Sequence, residues 1–213
     1  MAELKDLSIE EFAALAASDA PAPGGGSVSA VAGALAAALA EMVANLTVGK
    51  AKYADAEEEM KEIAAKGAEI RKTLVDDIER DSESFTLYMK ALRMPKDTEE
   101  QKAVRREAMQ NGLKEAARVP LSVARTAAEI FPLAEAVIAR GNTNAVTDGL
   151  VAAMMARTAV IGALFNVKIN LESIKDEEFV KATSEEVAVL EKKAVAFEQK
   201  ILAQAGVSKS VTE

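Results

Sequence analysis

The chain has 213 residues, 26 basic and 34 acidic, for a formal net charge of −8, which fits one domain with a sizeable core. It contains no cysteine, histidine or tryptophan, which excludes Cys/His zinc sites, thiol nucleophiles, Ser-His-Asp triads and imidazole acid–base chemistry. Proton transfer would fall to a carboxylate, lysine or tyrosine, and an isoelectric point near 4.9 argues against general nucleic-acid binding.

The segment Met1 to Phe12 is acidic and has no apolar stretch of the secretory kind. Ser8 and Glu11 form a capping box that opens a first helix ending at Ser18. The breaker stretch Asp19-Ala-Pro-Ala-Pro-Gly-Gly-Gly26 follows. A second helix is predicted from about Ser27 to Gly49, with Val28, Val31, Leu35, Leu39, Met42 and Leu46 spaced at threes and fours. Alanine and glycine fill most other positions, so this helix is expected to be buried on nearly all sides. Its longest apolar run, Val28 to Ala40, is shorter than the roughly 20 residues that span a bilayer. A soluble, cytoplasmic protein is expected, with no membrane or nucleic-acid partner.

A long third helix reads from about Ala54 to Leu92. Its stripe is Met60, Ile63, Gly67, Ile70, Leu74, Ile78, Asp81, Phe85, Tyr88 and Leu92, and one member of that core line is a carboxylate. Pro95 ends the segment, and Thr98 with Gln101 caps a helix reaching about Val119. Pro120 suits either the first turn of another helix or a kink inside a longer one, and Pro132 poses the same choice. Gly141 is a natural stop after Arg140. Asn142 to Asp148 reads as a polar loop, with Thr147 or Asp148 as the next cap. A small apolar helix through Val151 and Ala163 runs on into Phe165 to Leu171, and a last helix begins near Asp176 and ends before Gly206. No strand-period segment, repeat or linker appears, so the expected fold is all-α: a single-domain helical bundle with long, Ala-rich buried helices.

Several residues stand out against that background. A carboxylate held at Asp81 between apolar neighbours has its charged form destabilised and becomes a candidate acid–base group; a slight turn of the stripe would instead leave it in a surface ion pair. Gly24, Gly25, Gly26 and Ser27 lead straight into a helix, where bare backbone N–H groups can meet a ligand; the plainer reading is a flexible turn capped by Ser27. No Lys-Ser/Thr follows the glycines, so this is not a Walker loop. Asn142, Asn144 and Asp148 suit loop turns, whereas Asn166 and Asn170 lie four apart among apolar residues and need partners. Lys50, Lys52 and Tyr53 follow the second helix, where cations suit a C-terminus.

In combination these stretches resemble the cyclodeaminase domain of formiminotransferase-cyclodeaminase and its stand-alone bacterial relatives. The matching segments are Pro23-Gly-Gly-Gly-Ser-Val28, Leu46-Thr-Val-Gly-Lys-Ala-Lys-Tyr53, Asp81 through Phe85 and Met94-Pro-Lys96. Gly141-Asn142, Thr147-Asp148 and Gly162-Ala-Leu-Phe-Asn-Val-Lys-Ile-Asn-Leu171 complete them. Thr147 stands where the family pattern suggests serine. The resemblance implies a dimeric, all-helical folate enzyme that closes 5-formiminotetrahydrofolate to 5,10-methenyltetrahydrofolate with release of ammonia. A methenyltetrahydrofolate cyclohydrolase is the alternative, and a non-catalytic helical interaction protein a second one. With no formiminotransferase segment present, formimino transfer from formiminoglutamate is not expected. The family's catalytic aspartate falls on Asp81. The glycine loop with Asn142 and Asn166 would hold the pterin or the tail, and Lys50 and Lys96 would meet glutamate carboxylates. Tyr53, Asp148 and Asn170 complete the expected binding set. No metal and no permanently bound cofactor is expected, the tetrahydrofolate derivative being the substrate.

Overall fold

The computed structural model describes residues 3–205. In chain order its α-helices are α1 (Ile9–Ala16), α2 (Gly25–Asn45), α3 (Glu57–Leu92), α4 (Glu99–Ala128), α5 (Ile130–Arg140), α6 (Val146–Leu171) and α7 (Glu177–Gln204). No strand occurs among the described residues. Both capping boxes form as the sequence predicts. Ser8 Oγ accepts the Glu11 N–H at 3.2 Å while Glu11 accepts the Ser8 N–H at 2.9 Å. Thr98 and Gln101 repeat the exchange at 3.1 and 3.3 Å. Asp176 caps α7 by accepting the Phe179 N–H at 3.0 Å. The expected end of that helix before Gly206 abuts a residue outside the described range.

α2, α3, α4 and α6 form an antiparallel four-helix core, with α7 packed on α6 and α5 leading from α4 back to α6. Close approach of the helices depends on residues without bulk. A Cβ on Gly33 of α2 would fall 2.9 Å from Leu74 of α3 and 3.4 Å from Ala159 of α6. The expected α3 stripe is the core line: Met60, Ile63, Ile70, Leu74 and Ile78 are buried, and Asp81, Phe85 and Tyr88 continue it half-buried.

Four expectations are corrected. α2 begins at Gly25 with Gly24 as its N-cap, so Ser27 lies in the first turn and is not the cap. Nor is α2 buried all round. Alanines 30, 34, 36, 37, 40 and 44 face inward, while Val28, Leu35, Met42 and Leu46 are 45, 50, 37 and 42% exposed. The small residues let three helices meet closely, which turns the large ones outward. The third correction concerns α6, which begins at Val146. Thr147 and Asp148 therefore sit inside its first turn, and Asn142 caps the short 3₁₀ turn Thr143–Ala145 by accepting the Asn144 N–H at 3.1 Å. Finally, α2 and the Thr143–Leu171 segment each meet the length and composition of a membrane-crossing helix, with hydropathy 1.7. About half of each such window is buried inside the bundle, 56 and 50% respectively.

The open question at Pro120 resolves as one continuous α4. Proline has no N–H, so the Ala116 carbonyl one turn earlier loses its helical donor. Asn170 of α6 replaces it, its Nδ2 lying 2.9 Å from Ala116 O. Pro132 falls in the first turn of α5, where a missing N–H costs nothing.

Candidate active site

The sequence Gly24-Gly-Gly-Ser27 starts α2 with its first backbone N–H groups free of helical partners; the first ladder bond is Val28 N–H to Gly24 O at 3.0 Å. Gly26 lies directly against the Asp81 carboxylate, and a Cβ there would overlap it. Ser27 is fully buried, and its hydroxyl lies 3.0 Å from Asp81 Oδ2 and 3.1 Å from the Ile78 carbonyl. Asp81 thus sits at the positive end of α2, held from one side by Ser27.

Opposing influences act on that carboxyl. Burial disfavours its charged form and is the largest effect, whereas the Ser27 hydroxyl and backbone N–H favour it; nearby Asp77 disfavours it again. The outcome is a carboxyl raised above the ordinary range.

The facing wall comes from α6. Asn166 Nδ2 donates to Gly162 O at 2.9 Å, and Asn170 Nδ2 donates to Ala116 O and Asn166 O at 2.9 and 2.8 Å. Carbonyls only accept, so these nitrogens are the donors; Asn170 uses both of its N–H groups and Asn166 one, and neither Oδ1 has a protein donor among the described residues. Gly25 completes the contact, since a Cβ there would come within 3.0 Å of Asn166 Nδ2. Between these walls lies an open cleft of about 140 Å³ lined by Pro21, Ala22, Gly24, Gly26, Asp81, Ser82, Ser84, Phe85, Ala116, Asn166 and Asn170. It offers free backbone donors, amide acceptors and one carboxyl of raised proton affinity, the equipment for moving a proton on a polar heterocycle. Sequence reasoning missed Ser84, although its place three residues after Asp81 puts it on the same face. Ala116 left no signal of its own.

The remaining expected residues lie elsewhere. α2 is 21 residues long, so its ends stand about 30 Å apart. Lys50, Tyr53, Asn142 and Asp148 gather near its C-terminal end. There the Asn142 N–H donates to Thr47 Oγ1 at 2.8 Å and Asn142 Nδ2 to Leu46 O at 3.1 Å. The Tyr53 hydroxyl accepts the Thr143 N–H at 3.1 Å and lies 3.0 Å from Thr143 Oγ1. Those bonds, with Lys52 alongside, pull the phenol down to about 8. Lys50 is exposed beside this cluster, and Lys96 is exposed in the turn after α3. Leu92, the end of α3, lies eleven positions beyond Asp81, roughly 16 Å of helix. Within one chain the cleft therefore assembles Gly24, Gly25, Gly26, Ser27, Asp81, Asn166 and Asn170, and leaves the other five outside. No group of three acidic side chains suited to a metal occurs among the described residues.

The family profile described as formiminotransferase-cyclodeaminase matches residues 8–189. A methenyltetrahydrofolate cyclohydrolase of Methylorubrum extorquens is 39% identical over 194 residues, covering 91% of this chain and 93% of that protein. The mouse formimidoyltransferase-cyclodeaminase is 34% identical over 187 residues, covering 88% of this chain but 35% of the mouse protein. The crystal structure of formiminotetrahydrofolate cyclodeaminase from Thermotoga maritima superposes with a TM-score of 0.85 at 38% identity, covering 94% of this chain and 96% of that one. By profile, by sequence and by structure, the chain belongs to the formiminotransferase-cyclodeaminase family.

Proposed function

We propose that this protein is a folate one-carbon enzyme acting at the carbon between N5 and N10 of tetrahydrofolate, as a formiminotetrahydrofolate cyclodeaminase. The observation that carries the reading is Asp81, half-buried at the mouth of a glycine-rich helix start and raised in proton affinity. N10 attacks the carbon of the formimino group of 5-formiminotetrahydrofolate, protonated on its imino nitrogen, and forms a tetrahedral intermediate. Asp81 takes the N10 proton and returns it to the amine, which departs as ammonia and leaves the 5,10-methenyl bridge. The acceptors Asn166 Oδ1 and Asn170 Oδ1 face ring N–H donors, and the free N–H groups of Gly25 and Gly26 face carbonyl or carboxylate oxygen.

The cyclohydrolase reading is favoured by the Methylorubrum relative, which this chain matches over 93% of its length. There Asp81 would deprotonate the water that opens the methenyl bridge. One absorbance assay separates the two: methenyltetrahydrofolate appears from 5-formiminotetrahydrofolate for the deaminase, or disappears faster when added for the hydrolase. Neither change, with no folate bound, would leave an interaction protein and overturn the proposal.

The active form in this reading is a homodimer paired through α2 and α6. Val28, Leu35, Met42 and Leu46 of α2 adjoin Val151, Phe165 and Ile169 of α6, all exposed. Three charged residues of these helices are paired within the chain: Glu41 with Arg71 at 2.8 Å, Arg157 with Glu198 at 3.3 Å and Lys168 with Glu191 at 2.9 Å. Two-fold, antiparallel pairing would bring the Tyr53–Asn142 end of one copy to the Asp81 end of the other. Leu35→Glu should give a monomer by light scattering, with turnover lost; a fully active monomer would refute the shared site. The protein is read as cytoplasmic, without nucleic-acid or membrane partners, in keeping with its net charge of −8.

A further inference from the structure

α3 carries a second carboxylate that the proposed reaction does not use. Asp77 stands one helical turn before Asp81, is 0% exposed, and its Oδ2 has no hydrogen-bond partner among the described residues. Its Oδ1 accepts from the guanidinium of Arg80, three residues on and 52% exposed. A covered carboxylate ordinarily has both oxygens satisfied, and leaving one bare is unfavourable. The hydrogen bond it does make stays within α3, so it joins no two elements. An apolar side chain would serve the fold at this position at least as well.

Its electrostatic surroundings single out one neighbour. Side chains four apart on a helix have Cβ atoms about 5–6 Å apart, which places Asp77 next to Asp81. α2 from Gly25 to Ala40 brings no ionisable side chain to this part of α3. The charges nearby on other elements are engaged already: Lys5 with Asp76, Arg118 with Glu115 and Arg125 with Glu186. Burial raises the Asp77 carboxyl while Arg80 favours its anion; Arg80 itself is solvated and screened, whereas the field of the Asp77 anion reaches Asp81 through covered protein.

We propose that Asp77 is a positioning residue whose covered charge, one turn away, moves upward the pH range in which Asp81 exchanges its proton, adding to the larger effect of burial. The direction agrees with the effect of Asp77 on Asp81, which favours the protonated form. The proposal rests on Asp81 being the proton carrier, and its test separates the two claims. In full-length Asp77→Asn, the Asp81 carboxyl is titrated by carbon-13 NMR without substrate, and kcat is measured across pH with it. Removing the negative neighbour should move the Asp81 titration and the acidic limb of kcat down by about one pH unit. Asp77→Leu, which also removes the unpartnered oxygen, should give the same shift and covers the case in which one variant fails to fold. An unmoved Asp81 titration in either folded variant overturns the proposal, as does a uniform fall in kcat with the limb fixed and the titration unmoved. A moved titration with an unmoved activity limb supports the action of Asp77 on Asp81 and overturns the role of Asp81 as proton carrier.

Discussion

At the N-terminal end of α2 a carboxyl, Asp81, is raised by burial; at the C-terminal end a phenol, Tyr53, is pulled down to about 8 by donors from Thr143 and by Lys52. Asp81 has donors as well, both from Ser27, and the helix dipole favours its anion. Burial outweighs them because Gly26 lets α2 close over the carboxyl. Tyr53 lies in the open, where desolvation is small and its hydrogen bonds decide. One helix thus holds a group suited to carrying a proton at one end and a group suited to bearing negative charge at the other. The distinction follows from how closely the backbone approaches each group.

The largest test of the contrast is Asp81→Asn. It should lower kcat by about 10²–10⁴-fold, roughly 3–5 kcal/mol of barrier, with folate binding nearly intact. Because the folded carboxyl is raised, the parent loses stability as pH rises through its ionisation; the variant should not, and its thermal midpoint near neutrality should be equal or higher. Turnover within a few-fold of the parent would refute the catalytic role.

Gly26→Ala comes next. Its Cβ would overlap the Asp81 carboxylate, so we expect a loss of about 1–3 kcal/mol in stability by denaturant titration together with reduced kcat. Gly24→Ala has nothing within 4 Å of the new Cβ and should leave both nearly unchanged. Equal behaviour of the two variants would show that glycine here serves flexibility, not close approach.

Tyr53→Phe probes the other end. In the parent, absorbance of the phenolate should titrate near 8, and in the variant only the signal of Tyr88 should remain. A phenol lowered in the folded state adds stability above its ordinary value near 10 and loses it as pH falls through 8. The parent should therefore gain midpoint on the variant as pH rises from 8 to 10. The smallest expected effect is none: incubation with a chelator should leave turnover unchanged, and loss restored by a divalent ion would refute metal-free chemistry.

Local chemistry was legible where one or two residues decide. Ser8, Thr98 and Asp176 announce their helix starts, and the three-and-four spacing marks Asp81 as a carboxylate in a core line. Asp77 escaped the same reading because Ile78 beside it fills the line, although Asp77 also lies three residues after Leu74 and four before Asp81. Asn166 and Asn170 were marked as needing partners, but those partners could not be read. One of them, the Ala116 carbonyl, is freed only because Pro120 lies inside a continuous helix.

The sequence by itself determined that this chain is helical, where most of its helices begin, and that any proton must be moved by a group such as Asp81. These follow from short-range sterics, capping and the absence of histidine and cysteine. Tertiary structure decided which face of α2 turns inward. Every face of that helix is apolar, so hydropathy had no preference; contact distance chose, because only alanine and glycine allow α3, α4 and α6 to approach closely enough. The same choice pressed Gly26 onto Asp81, and it set the expected binding residues at opposite ends of a helix about 30 Å long.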